Sequence, residues 1–219
     1  MKKSIKIHFA SIIIVAMLLG IYSYSNSVEV QSAYAPVRSG AIYRLKSKGV
    51  AFECVVNWNS KYVDDIIDIA DKNNIGVAFF VSSQWAEQNS KTIDKILKND
   101  KNTIGMLGKA KDNEEFKQEL NSFTLQRIDS KIYMPLDKDN ADNISYVAKQ
   151  YDVATFLSSI DVQNRTSKKE DIINRIAKDS FEGAIIRFEP TKVVAMSFQE
   201  AIEALDYQNK TVVTLDKII

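Results

Sequence analysis

Short apolar runs alternate with amphipathic stretches from Gly49 onward, and this alternation constrains the fold more than any other feature. Runs of this length, bounded by polar segments, are typical of strands buried on both faces. Strands that alternate with helices form βαβ units, and their strands lie parallel in one sheet. The predicted strands are VAFECVV (50–56), IGVAFFV (75–81), TIGML (103–107), KIYM (131–134), DVATFL (152–157), GAIIRF (183–188) and TVVTL (211–215).

The stretches between these runs are predicted to form amphipathic helices. In the first stretch, the apolar residues at helical spacing are Tyr62, Val63, Ile66, Ile67 and Ala70. Two later helices are predicted to begin at capping boxes, formed by Ser167 with Glu170 and by Ser197 with Glu200. About seven strand–helix repeats fit either an open doubly wound sheet or a small, incomplete (β/α) barrel. Composition alone does not decide between them.

Residues 1–28 have the features of a signal peptide or a membrane anchor. Three lysines precede the uncharged run from Phe9 to Val28, which is about long enough to cross a bilayer. Ala33-Tyr34-Ala35 fits a cleavage site but lies far beyond the apolar centre, so an anchor is preferred to secretion after cleavage behind Ala35. Both alternatives place the following domain outside the cytoplasm, because the positive charges stay inside. Residues 29–40 are predicted to be a linker and 41–219 one domain.

The charge pattern makes nucleic acid an unfavourable partner. All 28 acidic residues, and all but three of the 29 basic ones, lie from Glu29 onward, so this part has a small net negative charge. The charges are mixed along the chain without a basic block. The single cysteine, Cys54, cannot form an internal disulfide. Because Cys54 alternates with Glu53 along a strand, it is predicted to face the helix layer as a buried thiol.

Several segments resemble the polysaccharide deacetylases, carbohydrate esterase family 4, and especially their sporulation-associated branch. The resemblance covers about residues 41–219. Its most specific framework elements are Phe79-Phe80-Val81, Trp85-Ala86-Glu87 and the final helix and strand. The segments that carry it are VAFECVVNW (50–58), YVDDIIDIADKNNIGVAFFVSSQWAEQNSKTIDKILKND (62–100), TIGMLG (103–108), EGAIIRFEP (182–190) and SFQEAIEALDYQNKTVVTL (197–215).

The resemblance implies a fold and a place for the site. The fold is an α/β, distorted (β/α) barrel of about seven parallel strands, here preceded by the N-terminal signal or transmembrane segment. A site in such a barrel lies at the C-terminal ends of the strands.

The catalytic residues implied by the resemblance are missing. The positions of the general-base and metal-binding aspartates fall on Val55 and Val56, and the two metal-binding histidines fall on Leu107 and Lys111. The orienting arginine falls on Tyr133, at the presumed rim, and the general-acid histidine falls on Glu189. The only histidine of the chain is His8, within the N-terminal segment. A catalytic zinc ion needs three protein ligands and an open position, so a degenerate site without metal or other cofactor is expected.

Five polar or aromatic residues remain candidates for ligand binding: Glu53, Trp58, Tyr133, Asp161 and Glu189. Glu53, Asp161 and Glu189 offer carboxylates for a relocated acid–base or metal site. The alternative, which is preferred, is that Glu53 and Glu189 pair with neighbours such as Arg187 or Lys111. Trp58 and Tyr133 offer aromatic faces for a sugar, but residues of this type more often close an apolar core.

Three functions remain open at this point. The preferred one is a catalytically inactive deacetylase-like protein of the cell envelope that binds glycan or a protein partner, with a role in sporulation implied by the resemblance to that branch. The second is an active carbohydrate N-deacetylase with a relocated site. The third is a structural envelope protein that uses the barrel as a scaffold. A sugar cleft and a blind pocket use the same residue types, so the sequence separates the first function from the third only poorly.

Overall fold

The computed structural model describes residues 40–57, 61–162 and 168–215, which all belong to one compact unit from Gly40 to Ile219. The predicted N-terminal segment, Trp58 and Ser167 therefore lie outside the described residues. Among the helices that the structure describes, none is both long enough and apolar enough to cross a membrane.

Seven parallel strands form one sheet. Six of them overlap the predicted apolar runs, whereas the strand Ile160–Val162 was not predicted. In sequence order they are β1 (Ala51–Val56), β2 (Ala78–Val81), β3 (Thr103–Gly108), β4 (Ile132–Pro135), β5 (Ala154–Thr155), β6 (Ile160–Val162) and β7 (Ile185–Phe188). Their order across the sheet is β5-β4-β3-β2-β1-β7-β6, and every named pair is parallel. The sheet curls into a half-barrel. Its edge strands, β5 and β6, are not paired with each other, so strand pairing does not close the barrel.

Helices follow most strands. They are α1 (Val63–Lys72), α2 (Ser83–Gln88), α3 (Ser90–Leu97), α4 (Asn113–Leu125), α5 (Ala141–Lys149), α6 (Lys169–Asp179) and α7 (Lys192–Tyr207), with a short 3-10 helix at Lys138–Asn140. The predicted spacing in α1 is correct, since Val63, Ile66, Ile67 and Ala70 are its buried residues.

Two sequence predictions of local structure are wrong. Ser197 does not begin a helix, because α7 starts at Lys192 and the buried Ser197 hydroxyl donates to the carbonyl of Val193 one turn earlier. The apolar face of α7 already includes Val194, which extends the helix beyond the expected start. The segment 211–215 is not a strand of the sheet either. It contributes an isolated bridge between Val212 and Val50.

The sheet separates two apolar layers. Side chains of Phe52, Cys54 and Val56 face the helices, so the prediction that Cys54 is a buried thiol in the helix layer is confirmed. Side chains at alternate positions, Ala51 and Val55, face the concave interior. The other buried residues of this concave core are Leu45, Ala78, Phe80, Leu107, Ile132, Met134, Phe156, Ile185 and Leu215.

The segment before β1 joins two distant strands. The backbone N–H of Ile42 donates to Thr155 in β5, and its carbonyl accepts from Leu157. The N–H of Leu45 donates to Gly183, just before β7. Leu45 is buried in the concave core, so this segment contacts the sheet close to both of its edges.

Candidate functional site

A cleft of about 480 Å³ lies at the C-terminal ends of β1 to β4. This is the edge where parallel α/β folds hold their sites, because the loops that follow the strands converge there. Amide and hydroxyl side chains make up much of its polar lining, and Leu107, Phe123 and Leu136 contribute apolar walls. The full lining is Asn57, Ser82, Ser83, Gln84, Met106, Leu107, Gly108, Lys109, Glu119, Phe123 and Leu136.

Apolar side chains occupy three of the positions at which the resemblance implies catalytic or metal-binding residues. Val55 is fully buried in the concave core, and Leu107 lies in the same core with 6% of its surface exposed. Val56 is fully buried on the opposite face, against the helices. Lys111 lies exposed in the loop after β3, where its backbone N–H donates to Glu115. These four side chains provide no set of ligands for a metal ion.

Tyr133 lies elsewhere than at the predicted rim. Its side chain is completely buried on the helix face of β4, with its ring 5.0 Å from that of Phe116. The hydroxyl donates to Oε2 of Glu119 at 2.9 Å and accepts from the backbone N–H of Ala110 at 3.2 Å. Burial, together with the carboxylate of Glu119, raises the pKa of Tyr133 far above its ordinary value. Tyr133 therefore closes the core and holds a loop, and offers no free face to a ligand.

Glu119 connects this buried hydroxyl to the cleft. Its Oε1 accepts from the backbone N–H of Lys109 at 2.9 Å, while burial raises the pKa of its carboxyl group. A Cβ at Gly108 would meet Glu119 Oε2 and the Tyr133 hydroxyl, so any other residue there would displace one of these groups. The loop after β3 is thus fixed by Glu119 and Tyr133. Glu119 was not predicted as a site residue from the sequence, since one more polar residue on a solvated helix carries no distinguishing signal.

A second polar group crosses the concave face on the other side of β1. Glu53 of β1 is in register with Arg187 of β7, which is in register with Asp161 of β6, so the three side chains form a row across neighbouring strands. Arg187 Nη1 lies 3.7 Å from Asp161 Oδ2. Lys138, in the 3-10 helix that follows β4, places its Nζ 3.8 Å from the same oxygen. Arg187 was predicted from the sequence as a partner of the buried carboxylates, whereas Lys138 was not.

Glu53 is the most unusual member of this row. It is completely buried, and neither carboxylate oxygen has a hydrogen-bond partner within the described part of the chain. Burial raises its pKa from 4.5 to about 8, against the opposing effect of the Arg187 charge. Glu53 therefore lies next to Arg187, as expected, but the two side chains form no hydrogen-bonded ion pair. At neutral pH Glu53 holds a proton.

Glu189 lies two residues beyond Arg187, just after β7. Its Oε1 accepts a hydrogen bond from the side-chain amide of Asn57 at 3.2 Å, which ties the end of β7 to the end of β1. Glu53, Asp161 and Glu189 thus come from three adjacent strands, as a shared site requires. Lys111 forms no ion pair with any of them among the described residues. Arg187 stands in the same row, and its positive charge opposes a cation there.

Comparison with known proteins identifies the fold. Neither a family model nor a curated protein matches the sequence. A family 4 carbohydrate esterase pseudoenzyme from Bacillus anthracis superimposes with a TM-score of 0.71 and 18% identity, over 81% of this chain and 68% of that chain. A mutant pseudoenzyme of that family with restored enzymatic activity gives 0.73 and 18%, over 81% and 70%. A peptidoglycan N-acetylglucosamine deacetylase gives 0.67 and 17%, over 82% and 91%.

These likenesses confirm, at the level of the fold, the resemblance inferred from the sequence. The chain has the polysaccharide deacetylase fold, which includes pseudoenzymes as well as active enzymes.

The raised pKa of Glu53 predicts how stability changes with pH. Between about pH 4.5 and pH 8 the folded chain keeps the Glu53 proton while the unfolded chain has lost it. The free energy of unfolding should therefore fall as pH rises through this window and level off above it. Glu53→Gln should flatten the curve and raise stability most at pH 8 and above, as measured by urea unfolding. Exposed Glu87→Gln is the control, and an equal gain from Glu53→Gln at every pH would contradict the assignment.

Removing the Tyr133 hydroxyl tests the loop anchor. Tyr133→Phe leaves Glu119 and the N–H of Ala110 without a buried partner and should cost about 1–3 kcal/mol of unfolding free energy. Tyr151→Phe is the matched control, since the Tyr151 hydroxyl donates to Asn113 in an exposed position. We expect the control to change stability by less than about 0.5 kcal/mol. Equal losses in both variants in urea unfolding would show that the hydroxyl of Tyr133 is not a structural anchor.

Proposed function

We propose that this protein is a catalytically inactive, polysaccharide-deacetylase-like protein that binds cell-envelope glycan in the cleft at the ends of β1 to β4. One observation carries the proposal. The cleft persists at the edge where this fold has its site, while Val55 and Leu107 take the place of catalytic residues beside it.

The loss of catalysis is argued from the chemistry of the side chains. A hydrolytic metal site needs three nitrogen, oxygen or sulfur ligands around an open position, so that the bound water loses its proton near neutral pH. Two valines and a leucine have no donor atom, and no group of three or more candidate ligands occurs in the described part of the chain. The pseudoenzyme of the same fold from Bacillus anthracis is a precedent for losing catalysis and keeping the architecture.

The proposal of glycan as the ligand is argued from the lining of the cleft. Sugars present hydroxyl and amide groups around apolar C–H faces, and Asn57, Ser82 and Gln84 are suitable hydrogen-bond partners for the polar groups. Leu136, 52% exposed at the cleft, offers an apolar wall. One solved relative acts on peptidoglycan N-acetylglucosamine, which supports a ligand built from N-acetylated sugars.

The proposed location is the outer side of the cytoplasmic membrane. The argument is the basic start and uncharged run of residues 1–28, with the domain held by this anchor or released after Ala35. A role in sporulation rests on the sequence resemblance alone. An envelope protein as the partner is the alternative occupant of the same cleft.

A second candidate function, a working hydrolase with a relocated site, is favoured by Glu53. A buried carboxyl group with a pKa near 8 is the kind of group that serves as a general acid or base. Against this, Glu53 is fully buried, and the positive charge of Arg187 on the neighbouring strand opposes a metal ion beside it.

Binding of a tetramer of N-acetylglucosamine to the full-length chain, measured by isothermal titration calorimetry, tests the proposal. Gln84→Ala and Leu136→Ala should each weaken binding by roughly three- to tenfold, because each removes one lining contact. Gln88→Ala, exposed on the same short helix, and Leu97→Ala, 50% exposed on α3, are the matched controls.

The outcomes separate the candidates. Binding that depends on Gln84 and Leu136, without release of acetate, supports the proposal. Release of acetate that disappears in the Glu53→Gln protein would favour the hydrolase instead. Absence of binding to the tetramer and to polymeric peptidoglycan would contradict the glycan proposal and favour a protein partner or a scaffold.

A further inference from the structure

Two cations near the C-terminal ends of β6 and β7 converge on a single carboxylate oxygen. Arg187 Nη1 and Lys138 Nζ lie 3.7 Å and 3.8 Å from Asp161 Oδ2, which is too long for a hydrogen bond. The side chain of Arg187 is only 19% exposed, and in the described part of the chain its guanidinium donates no hydrogen bond. A guanidinium has five N–H donors, and those of Arg187 therefore remain available to a ligand that reaches them from solvent.

The inner end of the same row is a buried carboxyl group. Glu53 is fully buried next to Arg187, and both of its oxygens are without a hydrogen-bond partner among the described residues. Buried polar groups without partners usually mark a place where water, an ion or a ligand belongs. Arg187 and Glu53 together therefore indicate that this part of the barrel binds a polar ligand.

We propose that Arg187 and Lys138 bind an oxyanion, a ligand carboxylate or phosphate group, at the mouth of the barrel beside β6 and β7. In the structure described here, Asp161 stands between the two cations in place of this ligand. A planar guanidinium and a flexible ammonium are the pair of side chains that commonly hold such a group.

The charges favour an anion over a cation. With Glu53 protonated, Arg187 and Lys138 carry two positive charges against the single negative charge of Asp161. Glu189, just after β7, accepts a hydrogen bond from the amide of Asn57. Arg175 of α6 donates from Nε to the backbone carbonyl of Asp161, but its charge is offset by Asp179, 4.0 Å from its Nη1. A metal ion would have to lie beside Arg187, whereas an oxyanion would supply acceptors that its N–H groups lack among the described residues.

Both cations are in contact with solvent. The side chains of Lys138 and Arg187 are 53% and 19% exposed, so a small anion can reach them without unfolding the barrel. This site lies on β6 and β7, beyond β1 from the cleft at β1 to β4. The inference therefore does not rest on the glycan proposal.

Glu53 makes the anion site sensitive to pH. The charged groups that act on Glu53 are Arg187 on β7, Asp161 on β6 and Lys138 in the 3-10 helix, and Glu189 lies just after β7. When Glu53 loses its proton, at a pKa of about 8, the row gains a negative charge and should bind an anion less well. Acetate keeps its charge over this range and is therefore the suitable probe.

Titration of the full-length chain with acetate and with inorganic phosphate, at constant ionic strength and about pH 6.5, tests the site and tells carboxylate from phosphate binding. Lys138→Gln should weaken the affinity for the anion by about tenfold, as expected for the loss of a charge-assisted contact. Lys131→Gln is the matched control, since Lys131 is also 53% exposed and pairs with an exposed carboxylate, that of Asp129. Arg187→Met should abolish binding; if that protein does not fold, Lys138→Gln decides.

Raising the pH to about 9 should weaken acetate binding in the wild-type chain and leave it unchanged in Glu53→Gln. Failure of both anions to bind, or equal binding by the wild-type and Lys138→Gln proteins, would overturn the inference. Equal losses in Lys138→Gln and Lys131→Gln would overturn it as well, because they would reduce the effect to general surface charge. Loss of acetate binding with intact glycan binding would leave the proposed function standing.

Discussion

All strands of the sheet run in the same direction, and their inward-facing side chains have to fill its concave face. In a curled parallel sheet these side chains pack against one another across the interior, and any polar group there needs a partner. In this chain the interior is apolar beneath the cleft, where Val55, Phe80 and Leu107 meet. Apolar packing holds this part of the interior together, so it keeps its shape without a metal ion.

The polar part of the interior lies on the other side of β1. Glu53, Arg187 and Asp161 form a row over three neighbouring strands, and Lys138 reaches the row from the end of β4. Burying such charges is costly unless they are paired and hydrogen-bonded, and Glu53 has no hydrogen bond within the described part of the chain. The chain keeps Glu53 neutral by raising its pKa, and so the barrel tolerates a carboxyl group in an apolar place.

Most of the fold was predictable from the sequence, because periodicity reports which side chains are buried. The parallel sheet, the spacing of α1 and the orientation of Cys54 follow from helical and strand periods alone. Contacts between distant residues were harder to foresee. Tyr133 was expected at the rim, yet it lies in the core because Glu119, on a helix after the preceding strand, supplies its hydroxyl with an acceptor. Lys138 reaches Asp161 only through the curvature of the sheet, which no local pattern encodes.

We infer that the interior at the strand ends has an apolar core in place of a metal site. Elemental analysis of the full-length chain, purified without chelators and dialysed against metal-free buffer, tests this inference. We expect far less than one equivalent of zinc, cobalt, nickel or manganese per chain, because Val55, Val56 and Leu107 offer no donor atom. About one equivalent of any of these metals, retained through dialysis and lost in the Glu53→Gln or Asp161→Asn protein, would contradict it.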